Sequence, residues 1–218
     1  LACRFTGNQP ALLIDVGSTT TDVIPLLQGK PAASGKTDTQ RLLTGELVYT
    51  GVERSPVCAV AAATTYRSDP IQVVQEFFAT MRDVYITLEK LAEDPTSFET
   101  ADRRAATKPY ARQRLARMVA ADQEEFNHRD ALTLANDVAE QHAAHLRAAI
   151  VRVSNKMAEK PTKLILSGHG EFLAAAAMEG TALANLPIVS LSKEIGPENS
   201  RSAPAYALAV LAIEAAAP

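Results

Sequence analysis

The run from Leu12 to Pro25 constrains this chain more than any other part of it. Leu12-Leu13-Ile14-Asp15-Val16 reads as an apolar strand closing on an acidic residue. Gly17-Ser18-Thr19-Thr20 is a tight turn, and Thr21-Asp22-Val23-Ile24-Pro25 is a returning apolar strand. Such a hairpin suits an anion. Gly17 lets the backbone approach a phosphate with no Cβ in the way. Successive N–H groups of the turn form an anion-binding concavity, and the hydroxyls of Ser18, Thr19, Thr20 and Thr21 add donors. Asp15 and Asp22 would repel a bare phosphate, so their presence points to a divalent cation, most simply Mg²⁺ held partly through water. The plain alternative is an ordinary hairpin with a Ser/Thr-rich turn. Two acids bracketing a hydroxyl cluster between apolar strands weigh against it.

With 218 residues the chain can bury a real core, as one domain or as one domain with an insert. A formal net charge of -3 makes no case for nucleic acid or an anionic membrane as a partner. The absence of Trp and the 5% aromatic content exclude stacking platforms for single strands. Cys3 and Cys58 are the only cysteines, too few for a disulfide scaffold, so a cytoplasmic location is the default expectation. No apolar run approaches the roughly 20 residues that span a bilayer. Leu1 to Phe5 resembles the last turn of a helix more than a leader, which suggests that further sequence precedes it.

Composition divides the chain in three. Residues 1–76 are strand-rich, with strands expected at Leu12–Val16, Thr21–Leu27, Val57–Thr65 and Ile71–Val74. A helix-like segment lies within Thr37–Val48, with Asp38 as its cap. Residues 77–157 are helical: Phe77, Phe78, Met81, Tyr85 and Leu88 fall at helical spacing, and a long helix begins near Asp130. Residues 158–218 return to an α/β pattern, with a strand at Lys163–Ser167, a helix from Glu171, a strand at Pro187–Leu191, a loop at Gly196–Ser202 and a final helix from Pro204. The expected architecture is an α/β core, residues 1–76 and 158–218, interrupted by a helical insertion at 77–157. Ligands in such sheets sit at the carboxyl ends of strands, where Asp15 and Ser167-Gly168-His169-Gly170 both fall.

That second glycine turn leads from a strand into a helix and would offer N–H groups to a phosphate. Glu171 behind it complements the helix dipole or serves the ligand. Arg41 or Arg54 can clamp a phosphate in bidentate fashion. Asp38 or Glu46 can act as a base or a metal ligand, although a capped helix followed by a solvated loop explains them equally. Cys58 reads as a buried, inert thiol. His142 and His145 share a helix at a spacing compatible with joint metal ligation, yet lie near its apolar stripe, which favours packing. Asp83, on an apolar helix face, is either paired or near a ligand, and Asp122 is the same or part of a solvated turn.

These motifs resemble a known family. Asp15-Val16-Gly17-Ser18-Thr19-Thr20-Thr21-Asp22 is similar to the second phosphate motif of the superfamily of acetate and sugar kinases, actin and heat-shock chaperone ATPases. Ser167-Gly168-His169-Gly170 resembles its later glycine motif. More narrowly, several stretches resemble hydantoinase/oxoprolinase-like proteins linked to tetrahydromethanopterin one-carbon metabolism: Ile14–Pro25, Thr37-Asp38 with Arg41-Leu42, Gly45–Gly51, Ala79-Thr80-Met81 with Asp83-Val84-Tyr85, Thr100-Ala101-Asp102, Ala121-Asp122 and Ser167-Gly168 with Gly170-Glu171-Phe172-Leu173. The resemblance implies a ribonuclease-H-like mixed sheet of the actin/sugar-kinase ATPase type with a mostly helical insertion.

It also implies a transferase of methanofuran-type cofactor biosynthesis. Such an enzyme joins a furanylmethyl diphosphate to a tyramine-type phenol and releases pyrophosphate. The implied site has Asp15 and Asp22 on Mg²⁺. Gly17, Ser18, Thr19, Thr20, Thr21, Arg41, Ser167, Gly168 and Gly170 would lie on phosphate, and Asp38 or Glu46 would take the phenol proton. Family members also carry an N-terminal half with an Asp-Gly-Gly phosphate motif. This implies that the chain is the C-terminal part of a longer two-domain protein, is inactive alone and takes that half as a partner; a homo-oligomer is a further, separate expectation. The chain departs from the pattern at Arg103, where Gly is common, and at Ala120, where Cys is common. Two other functions fit the same turns: an ATP-dependent hydrolase or small-molecule kinase, and a non-catalytic actin-like interaction domain.

Overall fold

The computed structural model describes residues 1–216. A single 3₁₀ turn at Ala2–Phe5 precedes strands Ala11–Val16 (β1), Thr21–Leu27 (β2) and Lys30–Pro31 (β3). Helix Asp38–Thr44 (α1), strand Leu47–Val48 (β4) and helix Val57–Val60 (α2) come after them. Next are strands Ala63–Tyr66 (β5) and Asp69–Gln72 (β6), then helices Met81–Thr87 (α3), Lys108–Arg117 (α4) and His128–Lys156 (α5). The last elements are strand Lys163–Ser167 (β7), helix Glu171–Met178 (α6), strand Ile188–Ser190 (β8) and helices Leu191–Glu194 (α7), Pro197–Arg201 (α8) and Ala203–Ala216 (α9). The chain packs as two compact units, Leu1–Thr50 with Leu146–Pro218, and Gly51–His145. Among the described residues no helix is long and apolar enough to cross a membrane.

The first unit is built on a mixed sheet in the order β3-β2-β1-β7-β8, with β4 also paired to β2. β1 runs antiparallel to β2 and parallel to β7, and β7 runs parallel to β8. Side chains alternate between faces along each strand. Leu12, Ile14 and Val16 point to one face and are fully buried; α6 packs against β1 and β7. Ala11, Leu13 and Asp15 point to the other face. There Ala11, Leu26 and Ile165 form a core with Ala2 of the 3₁₀ turn and Leu191 of α7, flanked by Leu13 and Ile24. The strand register orders the side chains on that face into rows: Leu13 is aligned with Ile24 and Ile165, and the next row is Asp22, Asp15 and Ser167.

The second unit contains the β5–β6 hairpin, α2, α3, α4 and the first part of α5. Its largest fully buried side chain is charged. Arg114 is fully buried and donates from Nε and Nη2 to Asp83 Oδ1 at 2.9 and 2.7 Å, and from Nη1 to Asp102 Oδ1 at 2.9 Å. Asp83 in turn receives the Thr80 N–H at 3.0 Å and so holds the first turn of α3. Tyr85 and His142 are bonded at 2.8 Å. Burial, followed by the proximity of His145, lowers the His142 pKa to about 4, so the imidazole is neutral.

Several expectations require correction. Residues 57–60 are helix α2 rather than the start of a strand, and the strand pair β5–β6 forms its own sheet. The unit boundaries therefore fall near residues 50 and 145 rather than 76 and 157. The helix expected from Phe77 begins only at Met81, after its Thr80 cap, and Thr37 rather than Asp38 caps α1 by accepting the Gln40 N–H. The segment Gly196–Ser202 contains α8, with Pro197 in its first turn.

Candidate functional site

Asp15, the penultimate residue of β1, lies in the centre of the sheet, flanked across the ladders by Asp22 on β2 and Ser167 on β7. Neighbours in register project from the same face, so one polar row closes an otherwise apolar surface. Next to it lies a hollow of about 180 Å³ lined by Cys3, Leu13, Ile24 and Leu191, with Asp15 and Ser167 as its polar members. Burial pushes the Asp15 pKa up to about 6. Ser167 pulls it back, Asp22 and Glu171 add to the rise, and His169 opposes it.

The turn after β7 is fitted to the end of β1. Gly168 has φ +84°, and a Cβ there would lie 2.2 Å from the Val16 carbonyl oxygen and 2.9 Å from Asp15 Oδ1. Only glycine tolerates both the left-handed backbone and this approach. The Gly170 N–H donates to Val16 O at 3.1 Å, and the Gly168 N–H to Ser200 Oγ at 3.2 Å. Glu171, at the start of α6, gathers the surrounding loops. It accepts Ser190 Oγ at 2.6 Å, Ser192 N–H at 2.9 Å, Ser192 Oγ at 3.0 Å and Ser200 Oγ at 3.2 Å. Sequence reasoning missed these serines, because they lie on separate elements and share no local pattern.

The hairpin turn is tight: the Gly17 N–H donates to Thr20 O at 2.9 Å, and the Ser18 and Thr19 hydroxyls lie 3.4 Å apart. Ser18, Thr19 and Thr20 are partly exposed, so their hydroxyls face available space. Thr21 is different. It is fully buried, and its hydroxyl donates to Thr50 O at 2.9 Å, so it braces the hairpin instead of reaching a ligand.

Arg41 and Asp22 are joined as an ion pair, so the expected phosphate clamp and one expected metal ligand neutralise each other. Asp38 lies 3.8 Å from Arg41 and is 85% exposed. Glu46 is buried and accepts from the Ser34 N–H at 2.6 Å, Ser34 Oγ at 2.8 Å, the Gly35 N–H at 2.9 Å and Thr44 Oγ1 at 3.0 Å. Burial raises the Glu46 pKa, but these donors outweigh it and hold the carboxyl below its ordinary range. Glu46 is thus an anchor for the 34–35 loop, with oxygens too fully engaged to accept a substrate proton.

Outside this row, Arg54 lies in the second unit, 3.7 Å from Glu99. Asp83 is paired and Asp122 exposed, and His142 is buried while His145 is exposed, so the two histidines do not share one environment. Among the described residues no group of three or more His, Cys, Asp or Glu is arranged to hold a metal unaided. Mg²⁺ does not require such a cage, because it retains waters and takes one or two carboxylates plus substrate phosphates. Two facing carboxylates, one with its pKa raised partly by the other, are compatible with that donor set.

The family model described as Hydantoinase/oxoprolinase matches residues 2–215. The chain is 29% identical over 201 residues to (4-{4-[2-(gamma-L-glutamylamino)ethyl]phenoxymethyl}furan-2-yl)methanamine synthase of Methanococcus vannielii, covering 92% of this chain and 89% of that relative. It is 28% identical over 200 residues to the synthase of the same name from Methanocaldococcus jannaschii, covering 92% of this chain and 58% of that relative.

Proposed function

The chain belongs to the hydantoinase/oxoprolinase family, and on that footing we propose that it is a methanofuran-pathway transferase. It joins a furanylmethyl diphosphate to a tyramine-type phenol and releases pyrophosphate. The product named for its relatives contains a phenoxymethyl–furan ether, the bond such a transfer would make. The observation that carries the proposal is the row Asp22–Asp15–Ser167 set against a glycine turn that no larger residue can replace. The antiparallel hairpin beside two parallel strands is read as a ribonuclease-H-like core.

In this reading Asp15 and Asp22 hold Mg²⁺, which when bound offsets the charge of the diphosphate. The hydroxyls of Ser18, Thr19, Thr20 and Ser167 bind the diphosphate oxygens, whereas Gly17, Gly168 and Gly170, expected as phosphate donors, spend their N–H groups on Thr20 O, Ser200 Oγ and Val16 O and shape the two turns instead. Arg41, paired with Asp22 here, would be available to the diphosphate once Asp22 held the cation. The apolar hollow beside Asp15 takes the furan ring. The bond between the methylene carbon and the diphosphate oxygen breaks, and its electron pair leaves with the diphosphate. The phenol oxygen bonds to that carbon, and its proton passes to Asp38, because Glu46 is fully engaged. The donors around the diphosphate act where charge develops on the departing group.

Calorimetry with inorganic diphosphate and MgCl₂ tests the site. Wild-type binding that weakens by at least about tenfold in Asp15→Asn is expected, since a charge-assisted contact is worth about 1.5–3 kcal/mol. Equal affinity in the two proteins would overturn it.

A further inference from the structure

Glu171 opens α6, where an acidic side chain complements the helix dipole. Its contacts go beyond that role. Each carboxylate oxygen takes two donors from other elements. Oε1 accepts the Ser192 N–H at 2.9 Å and the Ser200 hydroxyl at 3.2 Å, and Oε2 accepts the Ser190 and Ser192 hydroxyls at 2.6 and 3.0 Å. Ser190 ends β8, Ser192 lies on α7 and Ser200 on α8. Ser200 continues the line to the polar row. It is 1% exposed, and its oxygen accepts the Gly168 N–H at 3.2 Å. A backbone N–H only donates and a hydroxyl has one proton, so the Ser200 proton is directed to Glu171. The line Glu171–Ser200–Gly168 ends at a turn pressed onto β1: the Gly170 N–H donates to Val16 O at 3.1 Å, and a Cβ on Gly168 would meet Asp15 Oδ1 at 2.9 Å. The β1–β7 ladder stops at the pair Asp15 and Ser167. Past that pair the turn is held by the Gly170–Val16 bond and by Ser200 instead of by strand pairing.

From this arrangement we infer that Glu171 is a positioning residue for the diphosphate site. Acting through Ser200, it seats the Gly168 turn against the end of β1 and so fixes the Ser167 hydroxyl and the Asp15 carboxylate relative to each other. The inference rests on the diphosphate reading of that row. Glu171 touches no ligand in this role; it orients the groups that do.

Two measurements test it on wild type, Glu171→Ala, Glu171→Gln, Ser200→Ala and Ser192→Ala. One is calorimetry with inorganic diphosphate and MgCl₂, and the other is amide hydrogen exchange at Gly170 in the ligand-free protein. Ser200→Ala and Glu171→Ala should bind diphosphate about 10- to 100-fold more weakly, as when a group orienting a ligand-holding residue is removed. Their Gly170 amide should exchange at least about tenfold faster. Glu171→Gln should match wild type in both, because its carbonyl oxygen accepts from the Ser192 N–H and Ser200 while its amide donates to the rotatable hydroxyls of Ser190 and Ser192. Ser192→Ala takes a hydroxyl from the same carboxylate but not from the line to Gly168, so it should also match wild type. If Glu171→Ala does not fold, Ser200→Ala decides, since it leaves Glu171 its donors from Ser190 and Ser192. Unchanged Gly170 exchange or unchanged diphosphate affinity in Ser200→Ala overturns the inference. So does a loss in Ser192→Ala equal to that in Ser200→Ala, which marks general loosening, or a loss in Glu171→Gln equal to that in Glu171→Ala, which marks an effect of charge alone. A wild type that binds no diphosphate overturns the transferase reading instead, and Gly170 exchange still decides whether Glu171 and Ser200 hold the turn.

Discussion

Asp15 and Glu46 are both carboxylates held away from water, and their surroundings push them in opposite directions. Asp15, with few donors, has a folded pKa of about 6 against an ordinary 3.8. The native protein therefore binds more protons than the unfolded chain across that window, so stability contributed at Asp15 is greatest below it. It declines by up to about 3 kcal/mol as pH rises through 6. Asp15→Asn removes this slope. In urea unfolding the variant should gain on wild type by about 1–3 kcal/mol between pH 4 and pH 8, and an unchanged difference would show that Asp15 titrates normally. Glu46 behaves in the reverse sense: its folded pKa is depressed, so its contribution is present above the ordinary glutamate range and declines as pH falls through the folded value. At pH 7, Glu46→Gln should lower stability by about 1–3 kcal/mol through lost donors around a buried carboxylate, measured by the same denaturation. Asp15 was legible in the sequence as an acid at a strand end. The engagement of Glu46 was not, because Ser34 and Gly35 reach it from a loop with no periodic signature.

The hairpin β1–β2 and the strand–turn–helix β7–α6 were legible as elements, because alternation and a glycine turn are local signals. What local signals do not contain is register. That β1 pairs in parallel with β7, placing Ser167 beside Asp15, is a long-range fact. The short apolar run at Val57–Val60 illustrates the opposite failure: strand and single-turn helix look alike at that length, and the Pro56-led turn forms the helix. At this scale Gly168→Ala should destabilise the protein by about 2–4 kcal/mol, from the left-handed strain plus contact with the Val16 carbonyl. A smaller loss in urea unfolding would mean that β1 and the turn separate easily. In the second unit, Arg114→Met leaves Asp83 buried without its cation, while the partly buried Asp102 keeps Arg104. A loss of about 3–5 kcal/mol is expected, and near-wild-type stability would contradict the buried triad.

Taken whole, the molecule combines a mixed sheet that presents one polar row with a second unit organised around buried Arg114. The α/β class and a helix-rich intervening segment were legible from composition. The division near residues 50 and 145 was not, because the strand-like segments at 63–72 pair only with each other. We propose that the Asp15 row serves diphosphate departure in aryl-ether formation. The most direct measurement is product analysis of the protein incubated with a furanylmethyl diphosphate, γ-glutamyltyramine and MgCl₂, for wild type and Asp15→Asn. Pyrophosphate and aryl ether are expected in equal amounts, with the rate lowered at least about 100-fold in Asp15→Asn, as follows when transition-state charge stabilisation is removed. Absence of ether from the wild type, or an undiminished rate in Asp15→Asn, would contradict it.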